Sequence, residues 1–461
     1  MKTVVIKEKL KKVLNIIFII FSVILLFSIL YINIFPFLIN TSIFISLFFL
    51  NIIFIKHNNK VEETQKNNLI RIIIIVLCLF IDLTLIKTCL FFNKITTSNY
   101  ENVNYIVLVS RTSEISKIKQ IKDKKIGYYN IDNGILLKLK KTNEYISYDN
   151  IFDLYKSLGK ETSAILIEES LKNIIDENSF LNNNTKEIGI LNEKRELVVS
   201  KENNITTTPF NVYISGIDTY GAINSVSRSD ANLILTVNPI THKILITSIP
   251  RDYYVKLHSK KGNNDKLTHA SIYGIMESIT TIEDLLKTKI DYYIKVNFTS
   301  VIDLVDELGG IDVLSEHEFT SVDGYNYKKG YNNLNGEKAL SFIRERYAFI
   351  DGDKTRGRNQ QEFLKSLISA FTKPKLLIKY NTILDKMKNK ISTNISVKDI
   401  SSLIKMQLTN NTKWDVVVNN LDGENSYAYT YTYPKEKLYV MLPNNGSLVN
   451  AINKIKEIEG E

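Results

Sequence analysis

The chain opens with three long apolar runs and then settles into shorter alternating ones. Residues 13–34 (VLNIIFIIFSVILLFSILYINI) carry no charge over the length needed to cross about 30 Å of hydrocarbon. Residues 37–55 and 69–92 give a second and a third candidate span. The third contains Asp82 and Lys87, charges that belong near an interface or against a neighbouring helix. Lys2, Lys7, Lys9, Lys11 and Lys12 precede the first span, while the turn at Phe35 and Pro36 is uncharged. The positive-inside rule therefore puts the amino terminus in the cytoplasm. Lys56, Lys60 and Lys66 keep the loop 56–68 on the same side, which leaves everything after about residue 93 outside the cell. No small-residue cleavage site follows a short apolar core, so the pattern speaks against a cleaved signal peptide. Residues 1–93 are thus expected to form a membrane anchor.

From Tyr100 to Lys201, short apolar runs such as NYIVLVS and SAILIEES alternate with amphipathic helical ones. That order predicts a small α/β unit over residues 94–206 with a parallel or mixed sheet. Its pattern looks like half of a periplasmic solute-binding fold, and it serves equally well as a spacer or interaction module. The segment ITTTPFN reads as a linker. The runs FNVYISGID, ANLILTVN, KILITSIP and YYIKVNF that follow are rich in β-branched and aromatic residues. Helical spacing appears at 299–308, stopped by Gly309 and Gly310, at 335–343 and at 359–371. One α/β domain is expected over 207–375, with a C-terminal extension, 376–461, packing on it. Val301, Leu304, Val305, Leu364, Leu367 and Ile368 recur at helical spacing and read first as core residues.

The net charge of +10 suggests nucleic acid until it is divided. Residues 1–92 hold ten Lys or Arg against four Asp or Glu, leaving +6 there and +4 for the exterior. Most of the basicity is topogenic, and no nucleic-acid partner is expected. The two cysteines, Cys78 and Cys89, both lie in the third candidate span, so the exterior has no disulfide framework and no thiolate zinc site.

Ligands of α/β sheets sit beyond strand ends, and there this chain concentrates arginine although lysine is its ordinary basic residue. Asp218 follows the first strand of the second unit. Arg228 and Asp230 open the next, two apart and so on one face of an extended chain. Arg251 and Asp252 follow the third. The stretch 344–363 then holds four arginines, at 344, 346, 356 and 358. Arg356 and Gln360, four apart, share a face if the helix at Asn359 starts a turn early. Planar guanidinium forks suit phosphate better than ammonium groups do. A pyrophosphate clamped by several arginines is the indicated ligand, with Asp218 and Asp230 offering oxygens to a bridging magnesium ion. Ser-His-Asp order, HExxH and Walker-type loops are missing from the sequence, and His317 reads as a surface residue.

The ordered series GID, RSD, SIPRD, DKLTHA, YYIKVNF, VDELGGIDV, LNGEKALSFIRERY and KTRGRNQQ resembles the LytR-CpsA-Psr family over about residues 209–372. Three spans followed by an accessory domain look like its capsule-linked CpsA branch. The resemblance implies an α/β/α sandwich with an apolar groove for a polyprenyl chain. It also implies transfer of capsule, teichoic acid or a similar glycopolymer from polyprenyl pyrophosphate to peptidoglycan, at a Gram-positive-type cell membrane, beside polymer-assembly proteins. Residue by residue, it implies that Asp218 and Asp230 hold Mg2+ and that Arg228, Arg251, Arg344, Arg346 and Arg356 clamp the pyrophosphate, with Gln360 nearby. Relatives place arginine where this chain has Asn359, which leaves Arg358 without an assigned role, and nothing is drawn from Lys354. Asp252 is the candidate general base, or else only orients Arg251. A hydrolase of the same lipid-linked pyrophosphate and a non-catalytic scaffold or regulator remain the alternatives.

Overall fold

The computed structural model describes residues 2–32, 37–60, 73–77, 79–83, 86, 100–129, 131, 133–136, 139, 142–148, 151–171, 184–196, 204–220, 223, 227–260, 262–371, 387, 390–410 and 413–460. Phe35, Pro36, Lys66, Cys78, Lys87 and Cys89, on which the expected spans and loops depend, lie outside these residues.

The first apolar run is helical over Lys2–Ile32, and its segment Lys12–Leu30, 19 residues with a mean hydropathy of 3.0, is long and apolar enough to cross a membrane. The helix Phe37–Lys60 carries a shorter apolar stretch, Thr41–Lys56, and a further one runs over Ile73–Leu83. Among the described residues only the first run has the length of a span, so the structure itself carries one of the three expected crossings. The first two helices pack through Phe18 and Phe54, whose rings stack 4.1 Å apart.

The accessory unit is a five-stranded mixed sheet ordered Glu144–Ser147, Lys125–Tyr128, Ala164–Glu168, Tyr100–Ser110, Thr185–Glu196. The first three strands run parallel, and the long last pair is antiparallel. This is the α/β unit that the alternation predicts.

The second unit is built on a six-stranded sheet ordered Ile391–Thr393, Tyr292–Val296, Phe210–Ile217, Ser229–Asn238, Lys243–Ile249, Asp415–Asn420. Both outermost strands come from beyond residue 375. The C-terminal extension therefore does not pack on a finished domain; it closes both sheet edges, and edge strands left bare invite pairing with other chains. Alternate residues face opposite sides. Tyr213, Ile234 and Leu245 pack under the helices Ile275–Leu286 and Asn445–Glu459. Val212, Leu233 and Ile246 face Leu364, Ile368 and Ile400 of the helices Gly352–Phe371 and Val397–Asn410. Helices on both faces of a mixed sheet make the α/β/α arrangement expected for the second unit. The helices Phe298–Leu308 and Gly336–Arg344 and the hairpin Ile311–Ser315/Gly330–Leu334 gather around Phe319, Tyr327 and Phe342 in a separate core. The first of these helices is capped by Asn297, which accepts from Ser300 N at 2.9 Å, and ends at Gly309 in the left-handed region, the stop the sequence marks.

Candidate active site

Strand direction decides which residues meet. Phe210–Ile217 and Tyr292–Val296 run parallel, and Ser229–Asn238 runs opposite between Phe210–Ile217 and Lys243–Ile249. The carboxyl ends of three strands and the amino end of the fourth therefore lie along one sheet edge. That edge carries Asp218, Arg251, Phe298 and Asp230.

At this edge the sheet is irregular. Gly216 pairs with Ala231 and Ile217 with Ser229, so Asp230 is an extra residue that bulges from its strand. A bulge of this kind locally resets the alternation of side chains along the strand. The close approach also requires Gly216: a Cβ there would meet the Ala231 Cβ at 2.9 Å.

Asp218, Asp230, Arg251, Arg344, Arg346, Arg356 and Gln360 all line one cavity of about 830 Å³. Behind this polar end, mid-strand and helical side chains such as Ile214, Leu233, Leu235, Val301, Leu364 and Ile368 make an apolar wall. Of the six residues read first as core, Val301, Leu304, Leu364, Leu367 and Ile368 line the cavity, and only Val305 is fully packed away. Helical spacing identifies an apolar face; it does not say whether protein or a ligand covers it.

The arginines fall into two classes. Arg251 donates through Nη1 to both Asp230 carboxylate oxygens at 2.9 Å, and its Nε lies 3.5 Å from Asp252. Burial opposes its charge, but Asp230, Asp252 and Asp353 outweigh burial and hold its pKa above the ordinary arginine value. Arg356, 8 % exposed, pairs with Asp353 at 3.2 Å. Burial pulls its pKa down, Asp353 and Asp230 oppose this, and repulsion from Arg251 and Arg346 adds to it. Guanidinium groups do not deprotonate in proteins, so this environment favours an added anion. Arg344 and Arg346, by contrast, have no carboxylate partner among the described residues. Arg344 lies over the Phe298 ring at 4.3 Å, and Arg346 lies over and donates to Tyr347.

The helix carrying Arg356 starts at Gly352, seven residues before the expected 359, which places Arg356 and Gln360 on one helical face toward the cavity. Its Gly357 sits where a Cβ would meet Ser248 Oγ at 3.0 Å, so the helix lies close on the sheet. Gln360 donates to the Ile343 carbonyl at 3.3 Å.

Three further charged residues of these motifs lie outside the lining of this cavity. Arg228, just before the strand Ser229–Asn238, is half-buried and is not among the residues lining this cavity. Arg358 is held by Glu316 at 2.9 Å, Asp351 at 3.0 Å and Thr355 at 2.6 Å, away from the cavity, so the arginine cluster does not serve one purpose throughout. Asp252 is 5 % exposed beneath Arg251 and accepts from Lys266 Nζ at 2.9 Å. It lies outside the cavity lining and 3.5 Å from Arg251 Nε. His317 is exposed, and Lys354 pairs with Asp422 at 2.7 Å.

Sequence reasoning missed Glu345, Phe298 and Gln361. Glu345, 4 % exposed, accepts from the backbone N–H groups of Val322 at 2.7 Å, Tyr347 at 2.6 Å and Ala348 at 3.0 Å, and so fixes the loop that carries Arg346. Gln361 donates to the Ile246 and Asn419 carbonyls at 3.0 and 2.6 Å, tying the helix to two strands.

The Asp252 carboxylate makes a pH prediction. Burial raises its pKa, but Arg251, Lys266 and Arg356 override burial and hold it below the ordinary carboxylate value. A group depressed on folding adds stability that is present above its unfolded pKa and is lost as pH falls through the folded one. Thermal stability is expected to drop on acidification below about pH 4, and Asp252→Asn is expected to flatten that dependence. Parallel melting curves of the two proteins between pH 3 and 7 provide the check, and identical slopes would refute the role of Asp252.

The hard carboxylate oxygens of Asp218 and Asp230 fit a magnesium ion that keeps waters and takes its remaining ligands from phosphate. Asp218 accepts from Ser227 Oγ at 3.0 Å, and each Asp230 oxygen keeps a lone pair beyond the one used by Arg251. Among the described residues there is no cluster of three or more His, Cys, Asp or Glu, so a self-sufficient protein cage for a metal is not formed by them.

A profile of the LytR_cpsA_psr family matches residues 169–445. The chain is 34% identical over 209 residues to the polyisoprenyl-teichoic acid–peptidoglycan teichoic acid transferase TagU of Bacillus licheniformis, covering 45% of this chain and 66% of that protein. It is 35% identical over 189 residues to TagU of Bacillus subtilis, covering 41% and 60%. The match thus spans less than two thirds of either relative. The crystal structure of B. subtilis TagV aligns with a TM-score of 0.47 at 28% identity, over 55% of this chain and 98% of that one. The structure of TagT bound to LIIa-WTA aligns with a TM-score of 0.46 at 28% identity, over 57% and 94%. With the profile matched across more than half its length, this chain belongs to the LytR-CpsA-Psr family.

Proposed function

We propose that this protein is a magnesium-dependent phosphotransferase that moves a glycopolymer from polyprenyl pyrophosphate onto peptidoglycan. The observation that carries the reading is the junction of Arg251, Arg344, Arg346, Arg356, Asp218 and Asp230 with an apolar cavity of about 830 Å³, a shape suited to a diphosphate on a hydrocarbon tail. The names of the TagU relatives support the same class of substrate and acceptor.

In this reading an acceptor hydroxyl oxygen attacks the phosphorus attached to the sugar. A new phosphorus–oxygen bond forms, the bond to the bridging oxygen breaks, polyprenyl monophosphate leaves, and the hydroxyl proton passes to solvent. Arg344 and Arg346, without carboxylate partners among the described residues, receive the charge that spreads over the phosphoryl oxygens, while Arg251 and Arg356 are held in place by their aspartates. Asp218 and Asp230 hold a magnesium ion, whose contribution is charge neutralisation on the diphosphate. The apolar wall binds the tail and excludes water from one side. Release of polyprenyl monophosphate from a lipid-pyrophosphate saccharide tests this directly. It is expected to require both Mg2+ and peptidoglycan oligomers; equal release without acceptor would instead make the protein a hydrolase.

The same reading makes the protein a multi-pass membrane protein with its amino terminus inside and the domains after about residue 93 outside. The apolar helix Lys12–Leu30 and the lysines before it support this orientation. Protease added to intact protoplasts is expected to digest the chain after the anchor, and full protection would reverse the topology.

A further inference from the structure

The segment Asn264–Tyr273 has two faces. One reaches the candidate site: Lys266 Nζ donates to Asp252 Oδ1 at 2.9 Å, Asp252 lies 3.5 Å from Arg251 Nε, and Arg251 binds Asp230. The other face meets the accessory unit. Ile272, from this segment, and Tyr433 are buried in the accessory core with Ile106, Ile165 and Ile167. Between the two faces runs a buried polar chain. Asp265, fully buried, accepts from its neighbour's backbone, Lys266 N, at 2.7 Å and pairs with His269 at 2.6 Å. Its other oxygen accepts from Thr432 N at 2.8 Å and Thr432 Oγ1 at 2.5 Å. Thr432 shares a hydrogen bond of 2.9 Å with the Tyr273 hydroxyl. Tyr129, which follows an accessory strand and is 3 % exposed, is buried in the same accessory core as Ile272 and Tyr433; burial, with the neighbouring Tyr431 and Asp265, raises its pKa.

We propose that the accessory domain is a positioning element of the catalytic site: its docking through Tyr129 and Ile272 fixes the segment Asn264–Tyr273, and Lys266 on that segment sets Arg251 through Asp252. Lys266 is the positioning residue. Without its ammonium group Asp252 loses its hydrogen-bond donor and leans on Arg251, which is drawn away from Asp230 and from the ligand. Satisfied buried polar chains have few alternative arrangements, so a change at the Tyr129 end reaches the Arg251 end as a small displacement. The inference rests on the proposed role of Arg251 and Arg346 in binding a diphosphate.

The test is calorimetric titration of geranylgeranyl pyrophosphate into the full chain in detergent with Mg2+, alongside melting temperatures. Lys266→Met is expected to weaken binding about tenfold or more, and Lys266→Arg to restore most of it. Tyr129→Phe, which removes one hydroxyl from the accessory domain, is expected to weaken binding by about 2- to 30-fold with little change in melting temperature. The double variant Lys266→Met/Tyr129→Phe is expected to fall short of the product of the single effects, since both act through one chain. Asp153→Asn, at the exposed Lys435 contact of 3.4 Å on the same interface, is expected to bind as the parent does. If Arg346→Ala binds as the parent does, the diphosphate reading and this inference both fall. Loss with Arg346→Ala but parental affinity with Tyr129→Phe, or independent effects of Tyr129→Phe and Lys266→Met, overturns the inference alone.

Discussion

Arg346→Ala is expected to lower the turnover of glycopolymer transfer by about 10²- to 10³-fold, the cost of removing one preorganised donor from a developing oxyanion. The size follows from the isolation of this guanidinium. It lines the cavity, it has no carboxylate partner among the described residues, and its hydrogen bond is to the neighbouring Tyr347 hydroxyl. The loop that presents it is secured independently by Glu345. Stability is therefore expected to change by less than about 0.5 kcal/mol. Arg251→Ala makes a poorer probe, because it strands Asp230, Asp252 and Lys266 together. Transfer kinetics and a melting curve of Arg346→Ala are the check; parental turnover would remove Arg346 from the site.

Leu364→Trp is expected to raise KM for a long-chain lipid substrate at least tenfold while leaving geranyl pyrophosphate binding nearly unchanged. Leu364 is only partly buried in the protein because its side chain lines the cavity. An indole there fills space that the tail would use, and each excluded methylene forfeits about 0.8 kcal/mol of transfer free energy. The polar end, built on Arg251, Arg356 and the two aspartates, lies at the sheet edge and is untouched. Equal losses for short and long chains would mean that the tail does not lie in this cavity.

The order of elements and the convergence at strand ends were legible because both depend on local pattern. FNVYISGID, KILITSIP and YYIKVNF are strands, and parallel directions bring Asp218, Arg251 and Phe298 to one edge. What was illegible depends on contacts distant in sequence. The bulge at Asp230 arises between two paired strands and leaves no mark in SRSD. Arg358 looks like Arg356 in the sequence, yet two helical steps of about 100° each separate a cavity residue from one held by Glu316 and Asp351. The strands Ile391–Thr393 and Asp415–Asn420 close the sheet from opposite sides, and periodicity could not assign them to a domain that seemed complete at residue 375. The helix at Gly352 begins with GDKTRGRN, too polar for an apolar repeat to reveal.

The central claim is transfer, and the linkage in the product tests it most directly. The detergent-purified chain is given a lipid-pyrophosphate saccharide, Mg2+ and peptidoglycan oligomers, and the products are weighed by mass spectrometry. Saccharide joined to the oligomer through a phosphodiester, with one polyprenyl monophosphate released per linkage, is the predicted result. Free saccharide phosphate alone, with the oligomers recovered unmodified, would contradict it.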